Sequence, residues 1–175
     1  DAGAVTLTNA AGGVISGTTA AIRLSSSSLA TLNLNLGSTV TGQILSDDTG
    51  ARTLIVAGLL DGAYNAAGGS GVDTITLASI GSITGAVTLG AGDDLFNWQG
   101  GTIGSTINAG TGTNDVFNSD LGAGISGSLN LSNLSNFDSY NHQSGNLTLT
   151  GTRASGAGWN LVPGSSLSLD GSLNV

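Results

Sequence analysis

The chain has 175 residues, a length that suits one domain, and its 30 glycines with a single proline exclude both collagen and a proline-rich linker. All eleven acids are Asp and all three bases are Arg (Arg23, Arg52, Arg153), so the net charge of −8 argues against a phosphate-binding surface and hence against a nucleic-acid partner. Cysteine is absent, which excludes disulfides, and no apolar run approaches the ~20 residues of a membrane span.

In chain order, period-two alternation predicts strands at residues 5–8, 31–36, 73–77, 128–131, 146–149 and 166–169. Corners rich in Gly, Asn and Asp separate them, as at residues 68–71, 90–92, 110–112 and 123–124. These residue types tolerate the positive φ of tight turns. No segment shows a sustained helical period. Thr and Val, which fit pleated surfaces, are common, while Glu and Lys are missing altogether.

A longer period overlies the alternation. One apolar ladder reads Val14, Leu34, Ile55, Ile75, Phe96, Phe117, Phe137 and Trp159, in steps of 20 to 22 residues. A second reads Val5, Leu24, Ile44, Ala67, Val87, Ile107, Leu129, Leu147 and Leu167. Two recurring apolar positions mark a short unit stacked on copies of itself, each burying its apolar edge against its neighbours. Strands stacked on their own copies run parallel, and parallel crossovers are overwhelmingly right-handed. The predicted fold is therefore all-β: a right-handed parallel β-helix, or β-solenoid, of about eight coils of ~20 residues over residues 1–175. Phe96, Phe117 and Phe137 are expected to stack inside it. Asn108, Asn118, Asn130 and Asn146 fall near corners, where amides could bond along the axis. The C-terminal Leu173-Asn174-Val175 reads as mid-strand, which suggests a fragment of a longer chain. Residues 1–8 are a candidate N-terminal cap.

Three clusters carry possible chemistry. Residues 68–76 fit the calcium-binding nonapeptide G-G-x-G-x-D-x-U-x at every fixed position. Residues 89–97 fit except for Leu89, and residues 110–118 fit with one extra residue before Asp115. Spaced by about one coil, Asp73, Asp94 and Asp115 should form a column, and they are the candidate calcium ligands; calcium takes six to eight oxygens. The plainer reading is that Gly-x-Gly-x-Asp makes a good corner, and on that reading no cofactor is needed. The Asp47-Asp48 and Asp93-Asp94 pairs suggest the carboxylates of a glycosidase, but neighbours on a strand point to opposite faces, so neither pair is itself such a site. His142, the only histidine, lacks a nucleophile signature and reads as a surface residue. Trp159 falls inside, and Trp98 falls in the core or at a corner. The expectation is no enzyme and no catalytic residues.

The Gly-, Thr- and Asn-rich coils at residues 13–22 and 32–42 resemble those of the passenger region of type V secretion autotransporters of Gram-negative bacteria. Residues 136–151 are similar to the stretch entering that family's C-terminal folding module, so residues 136–175 are a candidate for its start. The resemblance implies a β-helix exposed at the cell surface or secreted, with an outer-membrane β-barrel outside this chain. It implies a stalk or adhesin acting in attachment, autoaggregation or display, with a host or bacterial surface receptor, or further copies of itself, as partner. Two other readings stand beside it: a calcium-binding repeat module of a type I secreted or surface-layer protein, and a β-helical carbohydrate-active enzyme.

Overall fold

The structure is a computed structural model that describes residues 3–25, 27–154 and 158–174. Its strands are short because the Gly and Asn corners interrupt alternation every few residues. Coil one holds β1 (Val5–Asn9), β2 (Val14–Ser16) and β3 (Ile22–Leu24). Coil two holds β4 (Ala30–Leu34), β5 (Thr39–Thr41) and β6 (Ile44–Ser46). Coil three holds β7 (Arg52–Val56), β8 (Leu59–Asp61) and β9 (Tyr64–Asn65). Coil four holds β10 (Asp73–Leu77), β11 (Ser82–Ile83) and β12 (Val87–Thr88). Coil five holds β13 (Leu95–Trp98), β14 (Thr102–Ile103) and β15 (Ile107–Asn108). Coil six holds β16 (Val116–Asp120), β17 (Ser126–Asn130), a 3₁₀ turn (Leu131–Asn133) and β18 (Leu134–Ser135). Coils seven and eight have only two strands each: β19 (Ser139–Ser144) with β20 (Asn146–Ala154), and β21 (Trp159–Leu161) with β22 (Ser166–Asn174).

Every strand pairs in parallel with its counterpart one coil away. The result is the predicted β-solenoid, with about 21 residues per coil and eight coils. The first sheet runs the full length in the order β1-β4-β7-β10-β13-β16-β19-β21. Seven steps of about 4.8 Å make it roughly 34 Å long. A second sheet, β2-β5-β8-β11-β14, and a third, β3-β6-β9-β12-β15-β18, complete a three-walled rod. A fourth, β17-β20-β22, replaces the second and third walls at the C-terminal end, where β20 and β22 pair over nine residues. The rod thus passes from three walls to two.

The core is three apolar columns rather than two. The first sheet contributes Leu32, Leu54, Ile75, Phe96, Phe117, Tyr140 and Trp159, residues matched across successive strands. The second contributes Ile15, Val40, Leu60, Ile83 and Ile103. The third contributes Ile22, Ile44, Tyr64, Val87, Ile107 and Leu134. The ladders read from sequence therefore mix columns. Val14 and Ile55 point outward and are exposed, and Leu34 belongs to a neighbouring inward row with Val56. Tyr64, not Ala67, faces Val87 across the third sheet, and Leu129, Leu147 and Leu167 lie on the fourth sheet.

Phe137 also leaves its expected place. Phe96 and Phe117 stack face to face at 5.7 Å, but the next rung is Tyr140, which sits three residues beyond Phe137 because coil six carries extra residues around Leu121–Ile125. Phe137 is buried beside the column and meets Phe117 and Tyr140 edge-on. Residues 1–2 lie outside the described residues, and residues 5–9 form the first strand rather than a cap folded over the end. Val5 and Leu7 are accordingly exposed.

Candidate functional site

The Gly-rich corners stack Asp73, Asp94 and Asp115 into a column, as their spacing predicts. The column sits inside the wall: each carboxylate is almost completely buried. Glycines make this possible. At Gly71, Gly92 and Gly112 a Cβ would lie within 2.6 Å of a backbone oxygen of the preceding coil, so only Gly lets these corners nest. Each Asp then spends one oxygen on the coil before it. The Asp73 N–H donates to Asp94 Oδ1 at 2.7 Å, the Asp94 N–H donates to Asp115 Oδ1 at 2.7 Å, and the Asp115 N–H donates to Asp138 Oδ2 at 2.8 Å. The acids are axial clips between coils, replacing backbone ladder bonds where the chain turns.

The N-terminal end of the column is closed by two further side chains. Tyr64 Oη donates to Asp73 Oδ2 at 2.6 Å. Arg52 lies directly across the ladder from Asp73 and is itself buried. Its guanidinium donates to Ser46 Oγ, to the Ser28 carbonyl and to Asp48, with which it forms an ion pair. Composition alone gives Arg52 no structural role; its position 21 residues before Asp73, matching the coil period, is the signal that marks it.

Farther along, the column has no such closure. Asp94 Oδ2 and Asp115 Oδ2 are buried without a hydrogen-bond partner. Burial pushes the Asp94 carboxyl up to about 7, reinforced by the acids above and below it and by Asp93. Burial also lifts Asp73 to about 6, against the pull of its Tyr64 bond and of Arg52. Asp115 is raised as well, again by burial first, with Asp138 adding to the effect. Tyr64 is pushed far upward by burial and by Asp73, so it stays a donor. Oδ1 of Asp94 accepts from the Asp73 amide, so Oδ2 is the oxygen left to take a proton when the group is neutral.

This donor set does not fit calcium. Of the column, Asp94 and Asp115 each keep one uncommitted oxygen, a coil apart, where calcium needs six to eight around one point. Among the described residues no three ligand-type side chains converge closely enough to hold a metal ion.

The other acids have structural tasks. Asp47 pairs with exposed Arg23. Asp48 caps the Gly50 N–H and holds Arg52. Asp93 is exposed and accepts from the N–H groups of Thr113 and Asn114. The Asp47-Asp48 and Asp93-Asp94 pairs face opposite ways, as expected.

His142 is fully buried, not on the surface. Six-residue β19 carries alternation through it, so it points inward like Tyr140. Its Nδ1 lies 2.9 Å from Ser119 Oγ and its Nε2 lies 3.1 Å from the Gly145 carbonyl. The carbonyl only accepts, so Nε2 carries the hydrogen and Nδ1 accepts from Ser119. Ser119 is equally buried, which removes it from any substrate.

An amide ladder runs along the outer face of the first sheet. Asn118 donates to Asn97, Asn141 to Asn118 and Asn160 to Asn141, each at 2.9 to 3.0 Å. Of the asparagines expected to bond axially, Asn118 is in this ladder. Asn108 caps Gly110 and accepts from Asn136, Asn130 caps the 3₁₀ turn, and Asn146 meets Ser126 and Ser166. The outer row beside it holds Thr31, Thr53 and Thr74. The result is a long wall of hydroxyl, amide and aliphatic groups, with the exposed carboxylate of Asp120 at the end of β16.

Comparison with family models, with curated proteins and with solved structures finds no match to this chain.

Proposed function

We propose that the chain is a surface-displayed β-solenoid stalk of the autotransporter passenger type, acting in adhesion or self-association through its outer walls and its length. The observation that carries this reading is the first sheet, eight parallel strands stacked in order with a shift of register after Ser119, whose outer face is lined mainly by Thr and Asn. Such a wall suits many weak, repeated contacts better than one concentrated site. The polar chemistry of the buried column, by contrast, is consumed in holding coils together. The change from three walls to two over residues 126–174 supports the proposal that this end leads into a distinct folding module.

The isolated chain should stack end to end, because Val5 and Leu7 are exposed in the first coil and Leu161, Val162 and Leu169 in the last. Strand edges left open recruit further strands. In the parent protein, a β-barrel anchored in the outer membrane would present the stalk to a host or bacterial surface receptor. The test is to display the chain on a heterologous Gram-negative cell. Increased clumping or attachment is expected, with no gain in polysaccharide breakdown. A degradative activity without any change in attachment would overturn the stalk and favour the carbohydrate-active reading.

A further inference from the structure

Among the described residues the second wall stops between coils five and six. Between coils five and six, β13 pairs with β16 and β15 pairs with β18, yet β14 and β17, which lie between them in the same two coils, do not pair. β14 ends the second sheet and β17 begins the fourth. A groove of about 400 Å³ opens between them, lined on one side by Thr102 and Ile103 and on the other by Ser128 and Asn130. Its volume is in the range of small binding sites.

Both walls of the groove are unpaired strand edges. In a parallel sheet alternate residues turn their N–H and C=O to opposite sides. The N–H groups of Thr102 and Gly104 donate to Gly81 and Ile83 of coil four, so the backbone of Ile103 faces the groove. The Asn146 N–H donates to Ile125 O, so Ile125, Gly127 and Leu129 face β20, and Ser126, Ser128 and Asn130 face the groove. The floor is buried and apolar, made by Trp98 and Leu129. Trp98 is held beneath the groove by its Nε1–H bond to the Gly101 carbonyl at 2.7 Å, and Gly127 leaves room for the edge of its ring. No charged side chain lines the groove.

We propose that this groove is a strand-addition site that takes an uncharged extended peptide as an inserted strand between β14 and β17. The second sheet itself states the preferred pattern. Its strands are short segments with a central aliphatic residue turned inward and small or polar neighbours, as in Thr39-Val40-Thr41 and Ser82-Ile83. A segment of that kind would answer both backbone rows and set its aliphatic side chain on the Trp98 floor, the mode in which main-chain bonds give affinity and alternate side chains give selectivity. A sugar chain is disfavoured because Trp98 is almost fully buried and the groove-facing backbone groups are in two strand-like rows.

The probe is an uncharged synthetic peptide copying residues 80–86 of this chain, titrated into the isotope-labelled 175-residue protein. Saturable amide shifts are expected at Ile103, Ser128 and Asn130, with slowed hydrogen exchange at Ile103 and Ser128. Ser128→Pro removes a groove-facing N–H without cutting the β20 ladder, since proline is tolerated where the strand N–H is free. It should weaken binding about tenfold or more with the circular dichroism unchanged. Ile103→Pro makes the same test from the other wall should Ser128→Pro misfold. Absence of saturable shifts, unchanged affinity in a folded proline variant, equal binding of a peptide with Asp in place of the central Ile83, or shifts induced by a neutral oligosaccharide instead would each overturn the proposal.

Discussion

Phe117 is the residue on which most of the aromatic column depends. Its ring is fully buried, stacked on Phe96 and within 5.5 to 6.2 Å of Phe137, Tyr140 and Trp159. Phe117→Ala removes the side chain and leaves a cavity bordered by four rings that are themselves fixed by their strands. Large-to-small changes at buried Phe cost about 3–5 kcal/mol. Aromatic pairs add about 0.5–1.5 kcal/mol each beyond area burial, and four are lost together. Poor collapse around stiff rings puts the expected loss at the upper end, about 4–5 kcal/mol. At about 2–4 °C per kcal/mol for a domain of this size, the melting midpoint should fall by about 8–20 °C. The assay is urea and thermal unfolding followed by far-ultraviolet circular dichroism. Because each coil contacts only its neighbours, the loss should also appear as local opening, with amides of coils five to seven exchanging faster than those of coils one to three. A loss below about 1.5 kcal/mol, or uniform exchange along the rod, would refute the column as the main cohesive element of this half.

Three further outcomes follow from the acid column. Asp73 and Asp94 have raised carboxyls in the folded rod, so their contribution to stability is full below the ordinary carboxylate value of about 4 and is lost as pH rises through about 6 to 7. The rod should therefore melt higher at pH 5 than at pH 8, and Asp94→Asn, which keeps an oxygen for the Asp73 amide, should flatten that slope and stabilise at pH 8; a rod that melts higher at pH 8 would contradict it. Arg52→Ala leaves Asp48 and the Ser28 carbonyl without their buried donor and should cost about 3–5 kcal/mol in denaturant titration, so near-neutral behaviour would dismiss its role at the head of the column. Chelator should leave the circular dichroism and melting midpoint unchanged, whereas a β signal that vanishes in chelator and returns with calcium would restore the metal reading.

The period of the chain was legible because stacking forces equivalent residues to recur at one coil length, and Ile75, Phe96, Phe117 and Trp159 do lie in one column. What blurred was phase. Leu54 and Ile55 are adjacent and both aliphatic, and only the turn geometry decides which points inward; the structure chooses Leu54. Hydrophobicity alone cannot break that tie, and the same holds where Tyr140 displaces Phe137. The second-sheet column from Ile15 to Ile103 was hidden because its strands are two or three residues long, too short for alternation to register. The Asp column was visible as a spacing, but its inward direction was not. Gly-x-Gly-x-Asp signals a tight corner whether the carboxylate faces solvent, metal or, as here, the amide of the coil before it. His142 was misplaced because polarity was taken as exposure, and its partner Ser119 lies 23 residues away.

Because coil four meets coil five, and coil five meets coil six, with Thr74, Leu95 and Val116 in equivalent positions, the joints of the first sheet are nearly interchangeable. Excising residues 95–115 would join Asp94 to Val116, still one carboxylate per turn and still an inward Phe two residues on. The first sheet and the acid column could therefore be shortened by one notch of 21 residues, with β11 inheriting the unpaired edge that β14 now presents.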